Sequence, residues 1–474
     1  MNYETVIGLE VHLQLATKTK AFCGCSTKFG AEPNSHTCPV CLGFPGSLPV
    51  LNGEAFNFSI RVALALNCKI QDLIKFDRKN YYYPDLPKNF QISQYDMPLS
   101  YDGFVDILSD GKAKRIRVKR VHLEEDAGKL MHESARSLVD YNRCGMPLLE
   151  IVTEPDISSP EEAYDYLTKL KSILKYLRVS DCDMEKGSLR CDANISLRPK
   201  GETKLGTKVE IKNMNSFKNV RSALEFEAKR QLSAIEDNEK IHQETRLWDA
   251  DKGVSNPMRS KEGAEDYRYF PEPDLVPFVV DKHVIEEARK ALPELPEAKA
   301  KRFVKDMGLS EYDASVITSD ADTAEYFEEA CRLYANKKTI ANWIMGDISA
   351  KLKDNELQIK EIGLTPRWLV NLIELIDAGT ISGKMAKSVL MEAIDTKCDP
   401  KDIVNRKGLS QVSDRGEIEA IIRSVLAKNE KSVADYKSGK KNALAFLIGQ
   451  VMKESKGKAN PAMTSEALKK ELGE

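Results

Sequence analysis

The chain lacks long apolar runs: no hydrophobic segment of its 474 residues approaches the ~18 residues of a membrane-spanning helix. It also lacks the short motifs G-x-x-x-x-G-K-[ST], G-x-G-x-x-G and G-x-S-x-G. Nothing resembles the glycine- and serine-rich strip of amidase-signature hydrolases, and no period of 20 to 50 residues repeats. These absences exclude a P-loop, a dinucleotide fingerprint, a nucleophile elbow and a solenoid. With a net charge of −2, the chain as a whole is not a polycation.

What remains is the composition of an ordinary globular protein, with 42% hydrophobic and 30% charged residues. A chain of this length can hold two to four domains. The acidic residues Glu4 and Glu10 in the first apolar segment argue against a signal peptide. Ten cysteines in a chain of this length favour reduced thiols and a metal site over disulfides. We therefore expect a cytoplasmic protein that does not associate with a membrane.

The first strong pattern is an alternation near the N-terminus. Glu10, His12 and Gln14 alternate with Val11 and Leu13. A period of two predicts a β-strand with one polar and one apolar face. A carboxylate and an imidazole on the same face suit a metal or phosphate site.

Four cysteines follow this strand as two close pairs, Cys23-x-Cys25 and Cys38-x-x-Cys41. Four thiolates at such spacing can close a tetrahedron around a zinc ion. The alternative is four unligated thiols. We expect a structural zinc site, because a closed shell leaves no open position for catalysis.

Three later segments carry similar polar residues. The segment 188–195 and the segment 208–212 alternate, and one carboxylate interrupts the hydrophobic run 147–154. Their polar residues are Arg190, Asp192, Asn194, Glu210, Lys212 and Glu150. A merely solvated face is the alternative, but such faces favour interchangeable Thr, Lys, Glu and Ser. The residue types present are those that hold Mg²⁺ and polyphosphate, so we expect a curved sheet whose charged concave face is the active site.

The chain changes character twice. Up to residue 292 it mixes short strands with helices predicted from Ser159 and from Ser216, and residues 77–94 read as an irregular loop. Prolines in 292–296 mark a boundary. From 293 to 405 the pattern is helical, and from 406 to 474 it is helical and rich in lysine. We expect these three ranges to be three domains.

The last range carries a local positive charge. Residues 406–474 contain 14 Lys and Arg against 9 Asp and Glu, a difference of +5. This excess suggests a module that meets a polyanion, although solvated helix faces also produce such excesses. The lysines of interest are Lys440, Lys441, Lys453, Lys456 and Lys458.

Longer motifs point to a known family. The segments 76–88, 123–129, 142–156, 212–217 and 447–461 contain D-R-K-N-Y-Y-Y-P-D-L-P-K, L-E-E-D-A-G-K, N-R-C-G-M-P-L-L-E-I-V-T-E-P-D, K-N-M-N-S-F and L-I-G-Q-V-M-K-E-S-K-G-K-A-N-P. Together with the N-terminal block, these resemble the B subunits of tRNA-dependent glutamyl/aspartyl amidotransferases. The resemblance covers essentially the whole chain. The related archaeal E subunits carry a large inserted domain for which this chain has no obvious room.

The resemblance implies an α+β fold: an antiparallel-sheet cradle domain similar to the catalytic domain of glutamine synthetase, then an all-α domain and a small α-helical tail. It implies a carbon–nitrogen ligase with glutamine as amido donor. The enzyme would phosphorylate the side-chain carboxylate of Glu-tRNA(Gln), or Asp-tRNA(Asn), with ATP. Ammonia would then displace phosphate. A glutaminase A subunit would supply the ammonia, and a small C subunit would complete a heterotrimer.

The resemblance also implies residue roles. The expected Mg²⁺ ligands are Glu10, His12, Glu125 and Glu150, with Glu124 and Asp126 left open as alternatives to Glu125. The residues expected to surround phosphates and guide ammonia are Lys79, Arg190, Asp192, Asn194, Glu210 and Lys212. The tail lysines would contact tRNA, and ATP, Mg²⁺ and a structural Zn²⁺ are the expected cofactors.

Two other functions remain to be weighed. A non-catalytic tRNA-binding scaffold would have no need of buried acidic residues on four strands. A free-standing ligase related to glutamine synthetase, acting on a small substrate, is disfavoured by the basic tail. Turnover of ATP by the purified complex discriminates the scaffold from the enzyme.

Overall fold

A computed structural model describes residues 3–133, 136–258, 267–409, 415–438, 440, 442–455, 459 and 461–473. These residues form two compact units, 1–296 and 297–474. Strands are confined to the first unit among the described residues, and the second unit is helical. The mixed α+β class expected from the sequence is therefore confirmed.

The strands of the first unit are β1 (Tyr3–Gln14), β2 (Lys69–Ile70), β3 (Leu73–Ile74), β4 (Asp77–Asn80), β5 (Phe90–Ser93), β6 (Ser100–Ser109), β7 (Lys112–Glu125), β8 (Lys129–His132), β9 (Ser137–Asp140), β10 (Pro147–Thr153), β11 (Leu189–Pro199), β12 (Val209–Lys212), β13 (Glu244–Asp249), β14 (Val254–Pro257), β15 (Phe270–Pro271) and β16 (Phe278–Val279). Its helices are α1 (Pro39–Leu42), α2 (Gly53–Ala65), α3 (Pro160–Leu177), α4 (Phe217–Glu236) and α5 (Lys282–Lys290).

A nine-stranded sheet dominates this unit, in the order β14-β13-β12-β11-β1-β10-β7-β6-β2. Its neighbours pair antiparallel, except that β12 and β13 are parallel. On one face, apolar side chains such as Leu9, Val11 and Leu13 are fully buried. The helices α3 and α4 pack on this sheet and on each other. Because these helices take up the apolar residues, the opposite face keeps the polar ones.

The helix α3 begins where the capping pattern predicts. Ser159 accepts a hydrogen bond from the Glu162 backbone N–H, and Pro160 occupies the first turn. In a full capping box, the Glu162 carboxylate would also accept from the backbone N–H of Ser159. Here it accepts from the backbone N–H of Ser158 instead. The predicted apolar stripe from Ala163 to Leu177 is buried. The predicted start of α4 at Ser216 is also confirmed by its cap.

The segment 77–94 differs from the predicted irregular loop. Its two ends pair as β4 and β5, and β15 adds a third strand in the order β15-β4-β5. Only the connection between them, which carries both prolines and the three tyrosines, is irregular. The prolines cannot donate to a ladder, but the flanking residues can.

The second unit contains α6 (Pro296–Met307), α7 (Glu311–Thr318), α8 (Ala321–Leu333), α9 (Lys337–Trp343), α10 (Ser349–Asp354), α11 (Pro366–Asp377), α12 (Gly383–Thr396), α13 (Pro400–Lys407), α14 (Arg415–Lys428), α15 (Glu430–Lys437), α16 (Asn442–Glu454) and α17 (Pro461–Leu472). A π-helical turn, Ile344–Ile348, joins α9 to α10. The helices α14 to α17 enclose a small core of their own that includes Ile422, Leu447 and Val451. Within the described part of the chain, no helix has the length and apolar character to cross a bilayer.

Candidate active site

The polar face of the large sheet collects side chains from neighbouring strands in one row. The register pairs His12 with Arg190 on one side and with Glu150 on the other, and Glu150 pairs in turn with His122. Directly paired residues point to the same side of a sheet. The alternation predicted for β1 and β11 is thus what aligns these side chains.

Three side chains of this face converge on one point. His12, Glu124 and Glu150 each offer a ligand atom, and these atoms lie within 4.8 Å of one another. The Nε2 atom of His12 is 3.5 Å from Glu150 Oε2 and 3.9 Å from Glu124 Oε1. The hydroxyl of Ser93 donates to Glu124 Oε2 at 2.9 Å, which fixes that carboxylate. Two carboxylates and one imidazole suit a divalent cation, and the oxygen atoms suit Mg²⁺.

His122 lies behind this group and was missed in the sequence analysis. Its Nε2 atom is 3.5 Å from Glu124 Oε2 and 3.4 Å from Glu150 Oε2. Burial disfavours its charge, but Glu150 and Glu124 outweigh burial and raise the pKa of His122 to about 9. Burial likewise opposes ionisation of Glu150, yet His122 and His12 hold its pKa well below the usual range. Alternation of His122 with Leu123 and Glu124 was the signal that could have identified it.

Glu125, expected among the Mg²⁺ ligands, is not in this group. Its carboxylate pairs with the Lys88 ammonium and accepts from the backbone N–H of Ile92 at 2.9 Å. Successive residues of a strand point to opposite faces, so Glu124 and Glu125 cannot both reach the same point. In the set that we propose below, Glu124 replaces Glu125.

Glu10, the remaining expected Mg²⁺ ligand, lies beside the group rather than within it. Its carboxylate accepts from Asn194 Nδ2 at 2.9 Å, and burial and the charge of Glu150 raise its pKa. Farther along the same face, the Lys212 ammonium lies 2.7 Å from Asp192 and 3.1 Å from Glu210. These pairs form a charged margin on the β11–β12 side of the group.

Two cations border the group. Arg190 Nη2 lies 3.0 Å from Asp126 Oδ2. The Lys79 ammonium lies 4.8 Å from the centroid of the Tyr267 ring, and among the described residues it has no hydrogen-bond acceptor. Burial lowers the pKa of Lys79, but the charge of Glu124 outweighs burial and raises it. Lys79 is therefore a half-buried cation that can receive an anion.

The four cysteines of the expected zinc site come together. Their sulfur atoms lie within 4.8 Å of one another; Cys38 is the N-cap of the short helix α1, and Cys41 lies within it. A hydrogen bond from Cys23, with the Lys20 ammonium 3.7 Å away, lowers the pKa of Cys41 to about 4. A thiolate among four clustered sulfurs is the donor set that a structural zinc ion requires.

The tail lysines are only partly described. Lys440 is exposed and lies 3.0 Å from Asp435, and Lys453 is exposed near the end of α16. The other members of the set lie outside the described residues: Lys441, Lys456 and Lys458.

Comparisons with known proteins find two matching family models and several full-length relatives. A family model described as the GatB/GatE catalytic domain matches residues 5–286, and one described as the GatB domain matches residues 325–472. The B subunit of an aspartyl/glutamyl-tRNA(Asn/Gln) amidotransferase from Thermoanaerobacter sp. (strain X514) is 57% identical over 473 residues, covering 100% of each chain. Proteins of the same name from Caldanaerobacter subterraneus subsp. tengcongensis and Brevibacillus brevis are 57% and 53% identical, covering 100% and 99% of each chain.

Proposed function

The chain belongs to the GatB/GatE amidotransferase family, and from this premise we propose that its polar site performs the ATP-dependent step of tRNA amidation. As the B subunit of an aspartyl/glutamyl-tRNA(Asn/Gln) amidotransferase, it acts in a complex of several subunits on misacylated tRNA. The observation that carries the assignment of the site is the convergence of His12, Glu124 and Glu150 beside half-buried cations.

The reaction has two steps. The side-chain carboxylate of Glu-tRNA(Gln) or Asp-tRNA(Asn) attacks the γ-phosphorus of ATP, which releases ADP and leaves an acyl phosphate. Ammonia then attacks the acyl carbon, the C–O bond to phosphate breaks, and amide and inorganic phosphate form. Phosphoryl transfer depends on positioning and charge neutralisation more than on covalent help from the protein.

The residues present fit these demands. A divalent cation held by His12, Glu124 and Glu150 would neutralise charge on the phosphate oxygens. The Lys79 ammonium, which lacks an acceptor among the described residues, supplies a second positive charge from the β4 side. On the other side, Lys212 is held by Asp192 and can orient a phosphate or the incoming ammonia.

Ammonia must come from elsewhere. The chain has none of the nucleophile motifs considered above, and Cys144 is 2% exposed with a pKa raised to about 12 by burial. A buried thiol of high pKa is a poor nucleophile. We propose that an A subunit with glutaminase activity supplies ammonia and that a small C subunit joins the two.

The test is ATP hydrolysis by the reconstituted complex. We expect hydrolysis that depends on Glu-tRNA(Gln) or Asp-tRNA(Asn) and on Mg²⁺, and an amidated product when glutamine is added. Deacylated tRNA serves as the control, because it binds without offering a carboxylate. A complex that binds the charged tRNA but hydrolyses no ATP would support the scaffold instead.

The architecture that the resemblance implies is part of the same proposal. The large antiparallel sheet with helices on one face supports a cradle similar to glutamine synthetase over residues 1–292. The separate small core of α14 to α17 supports a tail domain within residues 406–474, after a helical domain over 293–405.

We also propose that the tail binds tRNA through its lysines. Deletion of residues 406–474 from the complex should weaken tRNA binding, while zinc content and the thermal unfolding of the rest stay unchanged. The affinity of the intact complex should fall with salt as counterions are released. Equal tRNA affinity of the truncated and full-length complexes would contradict this assignment.

A further inference from the structure

A group of four tyrosines borders the proposed active site on the Lys79 side. Tyr81, Tyr95, Tyr267 and Tyr269 form a continuous chain of ring contacts, which we name the tyrosine wall. Tyr81 meets Tyr267 edge-on at 5.8 Å, and Tyr267 meets Tyr269 at 6.1 Å. Tyr269 and Tyr95 are stacked, with centroids 4.3 Å apart and planes only 12° apart. The wall therefore ends in a parallel pair of rings.

The outer ring of this pair is open to a ligand. Tyr95 is 53% exposed, and its only ring contact among the described residues is the one with Tyr269. None of the four tyrosine hydroxyls has a hydrogen-bond partner within the described ranges. Tyr81, Tyr267 and Tyr269 are half-buried and Tyr95 is exposed, so the wall presents aromatic faces together with hydroxyls that can still donate to a ligand.

The wall adjoins the reacting centre. Lys79 lies over the Tyr267 ring at 4.8 Å and over the Tyr81 ring at 5.9 Å. Ser93, two residues before Tyr95 in the chain, donates to Glu124 Oε2 at 2.9 Å. A ligand on the wall would therefore lie next to the carboxylates of the proposed cation site.

A separate cavity lies on the other side of these carboxylates. It has a volume of about 370 Å³ and is lined by residues that include Gly8, Asn194, Thr207 and Lys208. Asn194 is on β11, and Glu124 is on β7, with β1 and β10 between them. The cavity thus lies toward β11, whereas the wall adjoins Glu124 on β7 through Ser93 of the smaller sheet.

We propose that the tyrosine wall binds the 3′-terminal nucleoside of the aminoacyl-tRNA, with the terminal adenine stacked on the outer face of Tyr95. This inference rests on the proposed function. In the substrate, only a few covalent bonds separate the reacting carboxylate from the terminal ribose, so this nucleoside must lie beside the cation site. Single-stranded RNA ends are recognised by stacking of unpaired bases on aromatic rings.

The wall suits the tRNA end better than the adenine of ATP. In-line transfer requires the attacking and leaving oxygens to lie on opposite sides of the phosphorus. ATP in the cavity beside Asn194 would approach from one side, and the glutamyl group from the wall on the other. The exposed face of Tyr95 also leaves room for the rest of a large ligand outside the protein.

The test uses the intact complex and tRNA whose terminal adenine is replaced by the fluorescent base 2-aminopurine. Stacking on tyrosine should quench its fluorescence, and saturating ATP should not reverse the quenching. Tyr95→Leu and Tyr269→Leu should abolish the quenching and raise the KM for Glu-tRNA roughly 5- to 150-fold, the range for loss of one stacked base, with the KM for ATP unchanged.

Matched variants separate stacking from packing. Tyr95→Phe and Tyr269→Phe keep the aromatic face and should restore quenching. Tyr101→Leu, at a partly exposed tyrosine of β6 that contacts Lys69, should behave like the parent. If quenching survives in both leucine variants, or if ATP displaces the base or its KM rises instead, the inference is wrong. Quenching is measured with deacylated tRNA, which offers no carboxylate to phosphorylate, so it requires no turnover. A complex that quenches the base but hydrolyses no ATP with Glu-tRNA would contradict the proposed function and not this inference.

Discussion

Glu124 and Glu125 provide the sharpest test of the site, because adjacent carboxylates on one strand occupy opposite faces. We consider Glu124→Gln, which removes one negative charge and keeps nearly the same shape. The amide oxygen can still accept from the Ser93 hydroxyl, which lies 2.9 Å from the carboxylate in the parent. The fold, the zinc content and tRNA affinity should therefore change little.

The expected loss falls on the ATP-dependent step. Two unit charges about 4 Å apart interact by about 4 kcal/mol at an effective dielectric constant of about 20. The Glu124 side chain is 3% exposed, so solvent cannot replace the lost charge. Removal of one preorganised charged group from such a site costs about 10²- to 10³-fold in rate, or about 3–4 kcal/mol. We expect that loss, with a higher Mg²⁺ requirement.

The assay is Glu-tRNA-dependent ATP hydrolysis by the complex, measured over a Mg²⁺ titration. Glu125→Gln is the matched control, because it is the same chemical change one residue away. It removes the charge partner of the buried Lys88 ammonium, so it should lower the free energy of unfolding by about 3 kcal/mol and leave the Mg²⁺ dependence unchanged. If Glu124→Gln kept the parent's rate and Mg²⁺ dependence while Glu125→Gln altered the Mg²⁺ dependence, the assignment would have to return to Glu125.

Three further outcomes follow from the structure. Glu150→Gln should lower the rate of tRNA-dependent ATP hydrolysis on the order of 10²-fold, and an unchanged rate would contradict this. Glutamine hydrolysis by the partner subunit, measured without ATP and tRNA, should not change. Cys41→Ser should release zinc and lower the unfolding temperature; a metal assay showing well under one zinc per parent chain would refute the site. Glu328→Gln should destabilise the protein at pH 7 by about 1–3 kcal/mol, because Lys299 and Arg302 each lose one charged partner. Burial opposes the charge of Glu328, but these cations hold its pKa below 4.5, so its stabilisation is present above that pH. The difference from the parent should shrink as pH falls below 4.5, and a pH-independent difference in chemical unfolding would rule this out.

Much of the polar face could be predicted because strand periodicity is local. The alternation around His12 and Asp192 specifies which side chains share a face, and the antiparallel pairing brings those faces together. The helix starts at Ser159 and Ser216 could also be predicted from the sequence, because an N-cap depends only on residues within one turn.

The choice between Glu124 and Glu125 could not be made from the sequence. Three acidic residues in succession give no alternation, and their faces follow only from the register of β7 against β10. The tyrosine wall was also beyond sequence reasoning, because Tyr81 and Tyr267 come from segments far apart in the chain. Their contact depends on the pairing of β4 with β15, two short strands with no periodic signal.

The position of β1 at the centre of the sheet limits how the chain can change in length. Both edges of β1 are paired, its odd-numbered residues from Ile7 to Leu13 are buried, and its even-numbered residues Glu10 and His12 face the site. A single-residue insertion would exchange the two sets and place charged groups against α3 and α4. A two-residue insertion would keep the faces but shift His12 away from Glu150. This strand should therefore tolerate substitutions at its ends but no insertion or deletion near its middle.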